Sequence, residues 1–117
     1  MINYHKEIVS ALSKVLPTHY EMALTSKTKT PCYSYMELNN YSSTEVIGAT
    51  LGYSVISFQV KVWSDKVSEL QQYALEADRV MCTLGFKRVS SGEIPDPNSA
   101  MVQKILTYEA LAFEKFN

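Results

Sequence analysis

The chain has 117 residues, of which 46% are hydrophobic and 20% charged, and 11 Lys and Arg against 12 Asp and Glu give a formal net charge of −1. This composition is typical of one soluble globular domain, which we place at residues 1–117, and it excludes a disordered tail. The near-neutral charge argues against DNA affinity driven by net charge, because such affinity comes from Lys and Arg that neutralise phosphates.

The sequence shows no signal for a membrane or for export. No apolar run approaches the ~18 residues that span a bilayer. Residues Met1–Glu7 lack the basic region and long apolar stretch of a signal peptide. The two cysteines, Cys32 and Cys82, have no CxxC neighbour, so we expect reduced thiols in a cytosolic protein, with a disulfide between them as the alternative.

The first third of the chain predicts a helix and then a hairpin. Apolar residues recur at spacings of three and four, which predicts an amphipathic helix over 3–16 that ends before Pro17. His19–Thr25 alternates and predicts a strand. The polar stretch Thr25–Thr30 predicts a hairpin connection to the next strand, Pro31–Tyr41.

The middle of the chain predicts a half-buried sheet. Tyr53–Trp63 alternates most clearly, and one face of it is apolar: Ile56, Phe58, Val60 and Val62. Residues 42–52 contain two glycines and predict a long hairpin loop. The face opposite the expected core carries Tyr33, Tyr35 and Trp63.

The last part predicts a helix and two more strands. Ser64 or Asp65 can cap a helix that ends at Gly85, a residue type that favours the left-handed conformation there. Strands follow at 86–91 and 101–114, separated by a loop over 90–99 rich in Gly and Pro. The order is α-β-β-β-α-β-β, an α+β fold with a five-stranded, mainly antiparallel sheet and both helices packed on one face.

No arrangement of residues in the sequence predicts catalysis. His5 and His19 have no metal-ligand spacing, no serine lies in GxSxG, and the four glycines form no phosphate-binding loop. The carboxylates are scattered without a paired spacing. We therefore expect no enzyme, no catalytic residues, no metal and no cofactor.

Three groups of residues are candidates for interaction with other proteins. Tyr33, Tyr35 and Trp63 would form a subunit interface, unless that face is partly covered or the tyrosines pair across strands. Lys27 and Lys29 would contact a partner or passing DNA, or form a solvated tip. Val46 and Ile47 would order against a partner, or fold back onto the sheet.

Short strings in the chain resemble small neck proteins of long-tailed bacteriophages and prophages. They are Tyr20–Met22, Thr25–Cys32, the strand Ser57–Trp63 and Leu84–Arg88, together with the helix that ends before Pro17 and the helix after Trp63. Among these proteins the sequence is similar to the tail completion, or tail terminator, group. The group has no catalytic set to match, so no catalytic role is carried over from it.

This resemblance implies a structural subunit of the virion tail or neck, assembled in the bacterial cytoplasm. Such subunits form a ring, typically a hexamer, that caps the tail tube protein, stops its polymerisation and presents the surface for the head–tail connector protein. DNA passes through the lumen without specific binding. Lys27, Lys29, Val46 and Ile47 would then contact tube or connector.

Two alternatives remain open on the sequence. The chain could be another neck component, either a head–tail connector or a tail tube subunit. From a different class, it could be a small ligand-binding or catalytic α+β domain of the host, which would need a deep apolar pocket with converging polar groups.

Overall fold

The computed structural model describes residues 4–25, 28–43, 51–95 and 102–115. Within these residues two helices, α1 (His5–Leu12) and α2 (Val67–Thr83), accompany five strands. The strands are β1 (Thr18–Tyr20), β2 (Cys32–Ser43), β3 (Leu51–Ser64), β4 (Lys87–Pro95) and β5 (Val102–Lys115). A short 3₁₀ helix, Glu21–Ala23, follows β1. The predicted α+β class and the element order α-β-β-β-α-β-β are confirmed.

The strands form one sheet in the order β1-β2-β3-β5-β4. All neighbours are antiparallel except β1, which runs parallel to β2. The predicted hairpin at Thr25–Thr30 is therefore wrong, because two parallel neighbours cannot be joined by a tight turn. The strand predicted at His19–Thr25 ends at Tyr20, and the 3₁₀ helix begins the segment that returns the chain to the start of β2.

The three central strands are longer than the helices that cover them. A strand of 14 residues such as β3 spans roughly 46 Å, whereas 17 helical residues in α2 span roughly 26 Å. The domain is accordingly elongated, with extents of 55 × 26 × 22 Å. Strand pairing includes Ser43 and Leu51, so the ends of the predicted 42–52 loop belong to β2 and β3.

The core lies between the sheet and the two helices. The apolar face predicted for β3 is confirmed, since Ile56, Phe58, Val60 and Val62 are all fully buried. The helices contribute their own buried residues: Ile8 and Leu12 from α1, and Leu70, Ala74, Ala77 and Met81 from α2. Leu106 and Tyr108 of β5 complete this layer.

Tyr33 and Tyr35 lie on the core face of the sheet, so their predicted place on the opposite face is wrong. Tyr33 pairs with Val62 and Tyr35 with Val60, and directly opposite residues of antiparallel strands point to the same side. Both tyrosines are buried in the core. The alternation in β2 is apolar on both sides, so only its pairing with β3 decides which side faces the helices.

Several element ends differ from the predictions. Helix α1 ends at Leu12, and hydrogen-bonded turns reach Leu16. The N-cap of α2 is Lys66, not Ser64 or Asp65; the Ser64 hydroxyl instead accepts the Lys66 N–H at 3.1 Å and donates to the Glu69 carboxylate at 2.8 Å. Gly85 has φ +94°, which confirms the left-handed residue expected there.

Strand β4 continues to Pro95 through a stretch predicted as loop. Its partner β5 pairs with it residue by residue from Ser90 to Pro95. A strand at the edge of a sheet tolerates Gly and Pro, because one side of its backbone needs no partner strand. The breaker-rich composition of this stretch therefore marks an edge strand rather than a loop.

Candidate interaction surface

Trp63 lies on the face of the sheet that points away from α1 and α2, which we call the outer face. Its indole Nε1–H donates to the Ser34 hydroxyl oxygen at 2.9 Å. The Lys61 ammonium lies 5.8 Å from the centre of the Trp63 ring system and forms an ion pair with Glu21 at 2.6 Å. These contacts hold the indole ring of Trp63 in one orientation, and the ion pair with Glu21 attaches the 3₁₀ helix to the sheet.

The outer face is partly covered, which is one of the alternatives that the sequence left open. Cys32 and Ser34, which neighbour Trp63 on this face, are buried, as are Val55 and Ser57 further along the sheet. Burial raises the pKa of the Cys32 thiol. Both cysteines are free, and Cys82 is exposed on α2.

The two thiols should therefore react at very different rates. The folded protein is expected to expose one thiol per chain to a disulfide reagent, because Cys32 is both enclosed and less ionised than an ordinary thiol. In denaturant the count should rise to two. Replacing Cys82 by Ser should abolish the fast reaction, and a fast reaction that survives Cys82→Ser would contradict the burial of Cys32.

Only one of the four residues predicted to contact tube or connector lies in the described part of the chain. Lys29 is exposed and lies between the 3₁₀ helix and β2. It follows a turn in which the Thr28 N–H donates to the Thr25 carbonyl at 3.1 Å. Lys27, Val46 and Ile47 lie outside the described residues.

Two buried phenols on the helix side of the sheet have structural partners. The Tyr33 hydroxyl donates to the Tyr73 carbonyl at 2.5 Å, and the Tyr108 hydroxyl donates to the Asp78 carboxylate at 3.1 Å. Burial is the main cause that raises the pKa of both tyrosines, and the negative charges of Glu76 and Asp78 add to it. Phenols kept neutral in this way fix α2 to the sheet and are poor nucleophiles.

The raised tyrosine pKa values should make the fold less stable in alkali. Above about pH 10 the unfolded chain releases phenol protons that the folded chain retains, so the free energy of unfolding should fall as pH rises. Urea titrations between about pH 8 and pH 11 measure this slope. Tyr108→Phe should cost about 1 kcal/mol at the lower pH and flatten the slope; an unchanged slope would contradict the assignment.

Strands β2 and β4 carry bulges that the sequence alone did not point out. The register of strand pairing is interrupted between Arg88 and Ser90 in β4 and between Glu37 and Asn39 in β2. The residues between them, Val89 and Leu38, are large apolar side chains that are 54% and 38% exposed. Such bulges depend on how two strands pair, and alternation within one strand does not show them.

The described residues offer little to a metal ion or a membrane. No group of three or more His, Cys, Asp and Glu side chains in residues 4–25, 28–43, 51–95 and 102–115 is arranged to hold a metal ion. Within the same ranges, no helix combines the length and apolar character needed to cross a bilayer.

Comparison with known proteins finds a similarity in fold. No family model matches the chain, and no curated protein matches it. Among solved structures the chain is similar to a chain in the virion of the native gene transfer agent particle, with a TM-score of 0.64 and 11% identity. The match covers 92% of this chain and 84% of that chain. The two chains therefore share one fold over nearly their whole lengths.

Proposed function

We propose that the chain is a structural, non-enzymatic subunit of a phage or prophage virion, and more narrowly a tail terminator. The observation that carries the proposal is its fold likeness to a virion chain, which covers 92% of the present chain. The finer assignment to the terminator position relies on the strings that resemble that group, such as Thr25–Cys32 and Leu84–Arg88.

The proposed mechanism is assembly by complementary surfaces. Each subunit contacts the next through two different surfaces, and repetition of that contact about one axis closes a ring. One side of the ring caps the tail tube protein and stops its growth, and the other side receives the connector protein. A chain with a formal net charge of −1 suits a channel through which DNA must slide without being held by phosphate contacts.

Electron microscopy of particles made without this protein tests the proposal. If the chain is a terminator, tails should exceed the normal length and should lack heads, because nothing caps the tube or joins it to a connector. Supplying the wild-type chain should restore normal length. Tails of normal length that lack only heads would favour a connector instead, and the absence of any tube would favour a tube subunit.

Trp63 is the one residue of the proposed subunit interface that lies on the outer face. We expect Trp63→Ala to weaken association of the protein and to leave its circular dichroism spectrum unchanged. Leu75→Ala is the matched control, since Leu75 is 64% exposed on α2, away from that face. Light scattering at several concentrations measures the effect, and equal masses for wild type and Trp63→Ala would contradict the role of Trp63.

Lys29 is the described residue that the proposal assigns to the tube or connector, together with Lys27, Val46 and Ile47. Its side chain is exposed on the segment that precedes β2. Lys29→Glu is expected to lower the fraction of particles with joined heads and tails while the isolated protein keeps its mass. Lys14→Glu, which makes the same charge change on another exposed residue, should leave that fraction unchanged.

A further inference from the structure

At one level along the strands, β4 and β2 carry side chains of opposite charge. The register joins Arg88 of β4 to Tyr108 of β5, Tyr108 to Phe58 of β3, and Phe58 to Glu37 of β2. These four residues form one row across the sheet, with a guanidinium at one end and a carboxylate at the other. Both charged side chains reach solvent, being 46% and 30% exposed.

Each end of this row also carries an exposed apolar side chain. Val89 directly follows Arg88, and Leu38 directly follows Glu37; each is the residue that its strand's register skips. Strand β1 pairs only with Tyr33–Tyr35 of β2. Within the described residues, all of β4 therefore has a strand on one side only. The same holds for β2 beyond Tyr35, although the 3₁₀ helix Glu21–Ala23 lies beside it.

The strand directions fit a contact between copies of this chain. Because β2, β3, β5 and β4 alternate in direction, β4 runs antiparallel to β2. A rotation about an axis parallel to the strands keeps those directions, so β4 of one copy would meet β2 of the next in the antiparallel sense. The same rotation keeps the level of the row and brings Arg88 of one copy level with Glu37 of its neighbour. It also brings Ser91–Glu93 of β4 level with Tyr33–Tyr35, whose edge β1 already covers, so only the start of β4, up to Ser90, can approach β2 itself.

We infer that the β4 edge at Arg88–Val89 docks against the β2 edge at Glu37–Leu38 of a second copy of this chain. The contact is heterologous, since its two halves are different surfaces, and such contacts close into rings when the rotation closes. Within each chain Arg88 lies 3.8 Å from Asp78 and Glu37 lies 3.6 Å from His5. Each charge is thus held at its edge before docking. The inference deepens the proposed function, on whose ring assembly it rests.

Cysteine crosslinking tests this contact directly. In a Cys82→Ser background, the double variant Leu38→Cys with Val89→Cys should give a ladder of dimers, trimers and larger species with a short bismaleimide. Each single variant alone should stay monomeric, and a mixture of the two singles should stop at the dimer. The control pair Leu38→Cys with Leu75→Cys should give no ladder, although Leu75 on α2 is more exposed than Val89.

Charge reversal adds a second and independent readout. Arg88→Glu or Glu37→Arg, introduced into the crosslinking variant, should abolish every species above monomer, and both reversals together should restore the ladder. Thermal unfolding of each variant shows whether it is folded. Lys14→Glu makes the same change in net charge as Arg88→Glu and should leave the ladder intact.

Several outcomes would overturn the inference. The double variant could give no ladder, or a single variant could crosslink with itself. The Leu75 control could give an equal ladder, or folded charge-reversal variants could still crosslink. The tail length of particles that lack the protein is an independent measurement, since it does not depend on which surfaces of the subunits touch. Overlong tails together with a failed ladder would therefore reject this contact alone, whereas normal tails together with a successful ladder would reject the terminator role alone.

Discussion

Replacing Phe58 by Ala is expected to lower the free energy of unfolding by about 3–5 kcal/mol. Phe58 is fully buried on β3, in the middle of the sheet. Its ring centre lies 5.2 Å from that of His5, 5.8 Å from that of Phe86 and 6.5 Å from that of Tyr35. The substitution removes these ring contacts and leaves a cavity that the rigid central strand cannot close.

The loss is large compared with the total stability of a domain. Domains of this size are stable by about 5–15 kcal/mol, so Phe58→Ala should unfold at much lower urea concentration and give little soluble protein. Leu75→Ala, on the exposed side of α2, should change stability by no more than about 0.5 kcal/mol. A Phe58→Ala midpoint close to that of wild type would contradict the packing described for the core.

Replacing Ile8 by Ala is expected to cost about 2–5 kcal/mol and to act first on α1. This helix has only eight residues, too few to be stable alone, so its packing against the core must hold it in place. Ile8 is fully buried in that contact. Hydrogen exchange should show faster exchange of the Ser13 amide, which donates to the Val9 carbonyl at 2.9 Å.

Lys6→Ala supplies the control on the same helix. Lys6 is exposed, and Ala is at least as good a helix former, so this variant should keep both the stability and the exchange rates of wild type. Equally slow hydrogen exchange of the α1 amides in Ile8→Ala and Lys6→Ala would contradict the claim that tertiary packing holds the helix in place.

The confirmed predictions are those that depend on strong local patterns. Apolar alternation in β3 identified the core residues Ile56, Phe58, Val60 and Val62. The apolar stripe that ends before Gly85 identified α2 and the left-handed residue that follows it. Each of these signals involves residues close together in the chain. One strand or one helix is enough to determine them.

The wrong predictions concern relations between elements. The side of the sheet occupied by Tyr33 and Tyr35 depends on which β3 residues they oppose, because β2 is apolar on both faces. Parallel pairing of β1 with β2 depends likewise on a chain reversal through the 3₁₀ helix. No local pattern encodes either relation, and the predicted interface consequently retains only Trp63 on the outer face.

The row from Arg88 to Glu37 across the sheet depends on residues that are even further apart in the sequence. Arg88 and Glu37 are 51 positions apart in the sequence, and only the combined register of three strand pairs brings them to one level. The bulges that expose Val89 and Leu38 at the same level also arise from pairing. Sequence reading could therefore identify these residues as exposed or charged, but not as two halves of one contact.

Locating the protein on the intact particle tests the central claim most directly. Gold labelling of a tagged copy, viewed by electron microscopy, should give a single site per particle at the junction of head and tail. Joined, normally sized particles would show that the tag leaves assembly intact. Label spread along the whole tail, label at the far tip, or particles of normal shape that carry no label would contradict a ring that caps the tube.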